Sequence, residues 1–248
     1  MCIIVPSVPL VEGTKIFARR SADSKQFLVY SMGYKASQDV AMILPLPVGS
    51  HDEYMTIRFI PLDGYKDFFD HIEMGFPDLT KNVCRSASGS LTVYEVGDYD
   101  ASFIPTLNDF DRLDPQFKLS RQVWDLLPEY QDYGFAVFKL RESTKNLKKP
   151  HPIAFEFVTR LPDKLFFPTV HIHDGKVHEE ASFDHHLYYQ GDDFANALTL
   201  TKTFHSKKIA SKFIHIKQTM GIVDGQQRCH AVVMSGKFPN QDTVLSTV

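Results

Sequence analysis

Short hydrophobic runs with alternating polarity recur along the whole chain and predict a protein built mainly of β-strands. The runs lie at residues 14–18, 26–32, 40–44, 55–60, 135–140, 153–158 and 231–234. Alternation with a period of two is typical of a strand that has one face against a core. Pro45 and Pro47 predict the end of the third run, because proline cannot donate a hydrogen bond to a sheet.

Three segments carry helical signals instead. Residues 63–75 place apolar side chains at helical spacing, with Asp63 as the predicted N-cap. Residues 120–127 predict a second short helix, and a third is expected to begin at Asp192 or Asp193. Long helices do not alternate with the strands, which argues against a parallel α/β fold.

The predicted fold class is therefore α+β and β-rich. We expect a mostly antiparallel sheet, sandwich or barrel-like, with two or three short helices. Internal repeats, low-complexity tracts and shifts in composition are absent from the sequence. Residues 1–248 are thus expected to form a single globular domain.

Composition narrows the function without defining it. The chain has 43% hydrophobic and 23% charged residues and a net charge of −3, so the basic footprint of a nucleic-acid binder is missing. Neither a secretory signal nor an apolar stretch of membrane-spanning length occurs. Three cysteines without a CxxC motif exclude a disulfide framework and favour a reducing, cytoplasmic location.

The densest candidate chemistry lies in the histidine-rich segment between residues 169 and 186. Asp174 and Gly175 separate two alternating runs, which favours a two-residue hairpin turn. In that register His171 pairs with His178 across the ladder, and His173 lies on the same face. Three imidazoles within reach of one ion predict a transition-metal site, with zinc, iron or manganese as the candidate cofactor.

Two residues that follow extend this hypothesis. Asp184 and His185 lie close enough in sequence to add a ligand or a supporting carboxylate. A metal with an open position would activate water, which makes hydrolysis the simplest reaction. Two alternatives stay open for the same histidines: a solvated face of a hairpin, and metal-free acid–base chemistry near neutral pH.

A different class of function is a non-catalytic binding or structural module. Its contact surface would be an aromatic sheet face, since the chain has 20 phenylalanines and 10 tyrosines. The partner is unknown at this stage, neither a membrane nor a nucleic acid is expected, and a homo-oligomer is one form that such a module takes.

The second residue suggests a third hypothesis. Removal of the initiator methionine would leave Cys2 as an N-terminal residue whose α-amine could serve as the base for its own thiol. Cys2, together with the Arg-x-x-Asp element formed by Arg20 and Asp23, resembles the opening of N-terminal-nucleophile hydrolases of the choloylglycine-hydrolase type. The resemblance covers residues 2–25 and implies an amide hydrolase with these three catalytic residues.

A second resemblance covers residues 14–60. Two strands followed by the Leu-Pro-Leu-Pro stretch at 44–47 are similar to an uncharacterised bacterial family with a strand–strand–LPxP segment. That family has no assigned activity. The resemblance implies that residues 27–47 are structural and are not a layer of an N-terminal-nucleophile fold.

Overall fold

The computed structural model describes residues 2–21, 24–49, 56–80, 99–195 and 202–247. The strands are β1 (Ile3–Val5), β2 (Leu10–Ser21), β3 (Lys25–Ala36), β4 (Val40–Leu46), β5 (Ile57–Ile60), β6 (Tyr99–Ile104), β7 (Gly134–Leu140), β8 (Ser143–Lys148), β9 (Ile153–Val158), β10 (Lys164–Phe167), β11 (Glu180–Gln190), β12 (Phe194–Ala195), β13 (Thr203–Ile209), β14 (Arg228–Pro239) and β15 (Thr243–Thr247). The α-helices are α1 (Phe68–Met74), α2 (Pro77–Thr80) and α3 (Arg121–Asp125).

The described strands form three sheets. The largest runs in the order β13-β14-β11-β2-β3-β9-β5, with β8 also paired to β3. A second sheet has the order β1-β4-β7-β6, and a third has the order β10-β15-β12. Among these pairs only β11 and β2 run parallel. The β-rich, mostly antiparallel prediction is thus confirmed, and the arrangement is a sandwich.

The main core lies between the largest sheet and the β1-β4-β7-β6 sheet. It combines Ile16 and Leu28 from one sheet with Leu44 and Phe138 from the other, all fully buried. Residues that alternate with these along the same strands point the other way. The central strands of the smaller sheet, β4 and β7, are covered on both sides and contain few polar positions.

Two further cores cover the outer faces of the sandwich. Helix α1 packs Phe68 and Ile72 against Phe17 of the largest sheet. On the opposite side, the connection that contains α3 packs Trp124 against Phe135 of the smaller sheet, with ring centroids 5.2 Å apart. Among the described residues, no helix is long and apolar enough to span a membrane.

Strand β4 continues through Pro45, where the sequence predicted its end. Pro45 is opposite Phe135 of β7, whereas β1 pairs with β4 only between Ala41 and Ile43. The side of Pro45 towards β1 therefore lies beyond the pairing of β1 with β4. Proline is tolerated at such positions.

The helix predictions were partly wrong. Helix α1 starts at Phe68, and Asp63 lies in a turn before it, so Asp63 is not the N-cap. Helix α3 matches the second prediction at residues 121–125. The third was wrong, because the chain after Asp192 turns and enters β12 to pair with β15. Pairing across the molecule overrides the local helical signal there.

The runs 135–140 and 153–158 also have partners that the sequence did not indicate. They belong to different sheets, and the connection between them includes β8, which pairs with β3.

Candidate functional site

The histidine-rich segment does not form the predicted hairpin. Residues 168–178 connect β10 to β11 without a regular strand, and Ile172 makes an isolated parallel bridge to Ile3 of β1. The Ile4 amide donates to the Ile172 carbonyl at 2.9 Å, and the Ile172 amide donates to the Cys2 carbonyl at 3.2 Å. This segment therefore pairs with the beginning of the chain instead of pairing with itself.

The predicted turn at positions 174–175 is present, but the residues on either side of it do not form a β-ladder. Gly175 has a positive φ of 74°, and the Lys176 amide donates to the Asp174 carboxylate at 3.0 Å. Asn240 then donates to the carbonyls of both His171 and His178, at 3.0 and 3.1 Å. The two backbones meet around this amide without forming a ladder, so the prediction that the two imidazoles pair across a sheet was wrong.

His178 lies apart from the other histidines of the segment. Its Nε2 is 2.9 Å from the Asp174 carboxylate, and both side chains are more than half exposed. An exposed pair of this kind contributes little to stability.

Asp242 fixes the start of the same segment. Its Oδ1 accepts from the amides of Thr169 and Val170 at 2.9 and 3.0 Å, and its Oδ2 accepts from the Tyr130 hydroxyl at 2.8 Å. Burial raises the pKa of Asp242 to about 6, against the lowering effect of these hydrogen bonds. One carboxylate thus joins the histidine-rich segment to β15 and to the connection around Tyr130.

Three imidazoles, those of His171, His173 and His185, form what we call the buried histidine cluster. The rings of His171 and His173 lie 4.0 Å apart, and His185 is 0% exposed beside Phe183. Burial lowers the pKa of His171 to about 4 and that of His185 to about 3, and it takes the pKa of His173 well below its usual value. All three are therefore neutral at physiological pH.

Asp184 lies at the edge of this cluster. Its Oδ2 accepts from the amide of Gly13 at 2.6 Å, at the point where the register between β2 and β3 shifts. Burial raises the pKa of Asp184, but its interaction with His185 and the hydrogen bond from the Gly13 amide outweigh this effect and lower the pKa to about 2. The carboxylate thus holds an irregular part of β2 in place.

Of the five residues that were predicted to bind a metal, the structure separates His178 from the other four. His178 is at the surface with Asp174, Asp184 accepts a backbone hydrogen bond, and His185 is buried against Phe183. Within the described ranges, no group of three or more histidine, cysteine, aspartate or glutamate side chains could hold a metal ion.

Cys2 and Arg20, the two described residues of the N-terminal-nucleophile hypothesis, each have other partners. Cys2 is 0% exposed, its Sγ lies 3.9 Å from the Met32 sulfur, and burial raises the pKa of its thiol to about 12. Arg20 pairs with Asp193 at 2.8 Å and stacks over the Phe194 ring. Asp23 lies outside the described residues. A protonated thiol in an apolar core is a poor nucleophile.

A second group of histidines was missed by sequence reasoning. Asp192, His230 and His205 form what we call the edge array: His230 Nε2 is 2.8 Å from the Asp192 carboxylate, and His230 Nδ1 is 2.7 Å from His205 Nδ1. His230 is 5% exposed and stacks on Tyr189, whereas the Asp192 side chain is 86% exposed. Burial lowers the pKa of His230, although Asp192 opposes this effect.

Long-range pairing explains why the edge array could not be predicted. His205 and His230 are cross-strand neighbours on β13 and β14, and Asp192 follows β11. These positions are far apart in the sequence and belong to no common motif. Only the order of the strands brings them together.

Comparison with known proteins identifies the fold. No protein-family model matches the chain. A crystal structure of baculovirus P35 covers 100% of this chain and 100% of its own at a TM-score of 0.58 and 15% sequence identity. A mutated baculovirus P35 after caspase cleavage covers 96% of this chain and 100% of its own at a TM-score of 0.51 and 12% identity. The chain is therefore a β-sandwich protein with the fold of P35.

These findings correct the metal-binding and hydrolase hypotheses. Metal binding is wrong because the described side chains offer no such group of ligands. The hydrolase prediction is corrected by the chain's own residues, because Cys2 is fully buried with a raised thiol pKa and Arg20 pairs with Asp193. The alternative of a non-catalytic binding module fits these findings better.

Proposed function

We propose that the chain is a non-catalytic protein-binding module whose partner is a protease of the caspase class. The observation that carries this proposal is the likeness to baculovirus P35 over the full length of both chains. P35 is a protein on which a caspase acts, since one of the similar structures was determined after caspase cleavage. A binding experiment decides whether the shared fold brings a shared class of partner.

Two of the three cysteines lie in the described part of the chain, and both support a passive role. Cys2 and Cys229 are both 0% exposed, and burial raises the pKa of each thiol to about 12. The thiolate is the reactive form of cysteine, and it is scarce at such values near neutral pH. Neither thiol is therefore suited to attack a substrate of its own.

Contacts between distant segments support a preorganised scaffold. The Arg19 guanidinium donates to the carbonyls of Gly221 and Ile222, both at 2.6 Å. The Arg160 guanidinium forms a two-pronged pair with Asp132, at 2.6 and 3.0 Å. A rigid frame lowers the entropy cost of presenting a segment to a partner, which favours tight binding.

Incubation of the purified chain with a panel of recombinant caspases tests the proposal. We expect at least one caspase to co-elute with the chain in gel filtration and to lose activity towards a fluorogenic peptide. A cysteine protease of the papain type is the matched control for protease class, and it should neither co-elute nor be inhibited. If every caspase remains fully active and separates from an excess of the folded chain, the proposal is wrong.

Intact-mass analysis of the same mixtures adds a second readout. Because caspases cut after aspartate, cleavage should produce two fragments whose masses identify one aspartate. Alanine at the identified position should abolish both the cleavage and the loss of caspase activity. Asp111→Ala is the control substitution, because the Asp111 side chain is 96% exposed and lies on a surface connection, and it should change neither.

A further inference from the structure

A groove runs along one edge of the largest sheet. Strand β13 is the last strand in the order of that sheet, and among the described residues no strand pairs with its outer side. The segment 75–79, which includes the start of α2, lies across from it. The groove between them has a volume of about 240 Å³.

The lining of the groove shows that it follows the strand edge. Thr203, Phe204 and His205 all contribute to it, although successive residues of a strand point to opposite faces of the sheet. A cavity over one face would be lined by alternate residues only. The main-chain edge of β13 is therefore accessible from this groove.

The groove has an apolar floor and a basic rim. Phe76 is 3% exposed and forms the floor with Leu79 and Phe204. At the rim the Lys202 ammonium lies 5.3 Å from the centre of the Phe204 ring. Lys207 lies 3.3 Å from the Asp78 carboxylate on the opposite wall.

The charge of the edge selects among possible occupants. Residues 202–212 contain four lysines and no carboxylate, and all four lysines are exposed: Lys202, Lys207, Lys208 and Lys212. Two copies of this strand placed side by side would repel each other, which is how lysines on sheet edges prevent self-association. An extended segment with acidic side chains would instead be attracted.

We propose that this groove binds an extended, acidic segment of a protein partner, which adds a strand to β13. Main-chain hydrogen bonds to the open edge would provide affinity, apolar side chains would contact the floor, and carboxylates would pair with the lysines of the rim. This surface is additional to protease binding. The proposal does not depend on whether the chain binds a caspase.

Synthetic peptides of defined sequence test the proposal on the full chain. The probe is a short, fluorescently labelled peptide in which glutamate alternates with valine. One control peptide has lysine in place of glutamate, and a second has N-methyl groups on alternate amides, which removes the donors needed for strand pairing. We expect only the unmodified acidic peptide to bind, and we expect it to slow hydrogen exchange of the β13 amides.

A charge-reversal pair of variants localises the binding. Lys202→Glu should weaken binding of the acidic peptide about fivefold, as expected for the loss of an exposed ion pair. Lys237→Glu makes the same charge change at an exposed position of β14 outside the groove and should leave binding unchanged.

Four results would overturn the proposal. The first is no binding of the acidic peptide, as expected if a second copy of the chain or one of its own segments fills the groove. The second is equal binding of the N-methylated peptide, and the third is binding without protection of β13. The fourth is an equal effect of the two charge reversals, which would indicate attraction to the whole protein instead of to this groove.

Discussion

The buried histidine cluster and the edge array contain the same kind of side chain in opposite surroundings. His185 is fully buried and His171 and His173 are half-buried, and burial lowers the pKa values of all three. His230 is also buried, but it has a hydrogen-bond partner at each ring nitrogen, namely Asp192 and His205. The density of histidines in the sequence indicated the buried histidine cluster. The histidines that are hydrogen-bonded in an array are those of the edge array.

The difference shows what a histidine-rich sequence does and does not indicate. His171 Nδ1 and His173 Nε2 have no hydrogen-bond partner among the described residues, so these rings contribute mainly as packed, neutral side chains. In the edge array both ring nitrogens of His230 have a hydrogen-bond partner. The predictions below test this contrast, starting with the largest expected effect.

Replacing Asp242 should have the largest effect, because this carboxylate anchors the segment that carries the buried histidine cluster. Asp242→Ala leaves the amides of Thr169 and Val170 and the Tyr130 hydroxyl without their acceptor. We expect the free energy of unfolding to fall by about 3 kcal/mol in urea titrations. Asp111→Ala is the control and should change it by less than about 0.5 kcal/mol. Equal effects would refute the anchoring role.

Acidification should destabilise the protein through the buried histidine cluster. The folded-state pKa values of His171 and His185 are about 4 and about 3, below the usual 6.5. At a pH between the folded-state pKa and 6.5, each histidine therefore binds a proton in the unfolded chain but not in the folded protein. Stability therefore falls as the pH drops below 6.5. The raised pKa of Asp242, about 6, acts in the opposite direction. We expect a net loss of about 2 kcal/mol between pH 6.5 and pH 5.

A pair of variants assigns this pH dependence. In the wild-type structure the Asp184 amide donates to His185 Nδ1 at 3.3 Å. His185→Asn removes one titrating group and keeps a hydrogen-bond acceptor near this amide. It should flatten the plot of unfolding free energy against pH. His178→Gln, at an exposed position, should leave the slope unchanged. If both variants keep the wild-type slope, the cluster is not the source.

The edge array should respond unequally to loss of its two rings. His230→Ala removes a buried ring, its stacking on Tyr189 and two hydrogen bonds, and we expect a loss of about 1.5 kcal/mol in thermal or urea unfolding. His205 is exposed, so His205→Ala should cost only about 0.5 kcal/mol. The reverse order would show that the surface ring, and not the buried one, holds the array together.

The smallest effect is expected at His178. This ring was predicted to complete a metal site, but in the structure it contacts the exposed Asp174 carboxylate. His178→Ala should change the unfolding free energy by less than about 0.5 kcal/mol. A loss of more than about 2 kcal/mol would show that His178 contributes to the buried cluster after all.

Strands were predictable from the sequence where local patterns determine them, as at 14–18 and 26–32 in β2 and β3. The connection between β10 and β11 was not, because Asp174 and Gly175 do form a turn but the flanking residues bind Cys2, Ile4 and Asn240 instead of each other. The local alternation of polar and apolar residues does not reveal a pairing partner from another part of the chain. Turn residues therefore predict a reversal, and they do not predict which strand it joins.

The candidate sites also depend on contacts between distant parts of the chain. The buried histidine cluster combines neighbours in sequence with His185 of β11, and the edge array depends on the pairing of β13 with β14. The basic edge of β13 was visible as four lysines in residues 202–212, but its unpaired outer side was not. Charge can be read from a sequence, whereas the openness of an edge depends on the whole sheet.

Titration of an active caspase with increasing amounts of the chain tests the central claim most directly. The chain should be measured twice, once after dialysis against a chelator and once after addition of zinc, since binding through a protein surface requires no metal. We expect caspase activity to fall linearly to a stoichiometric end point that is the same in both preparations. Full activity at a large excess of folded chain would contradict the claim, as would inhibition that appears only with the metal.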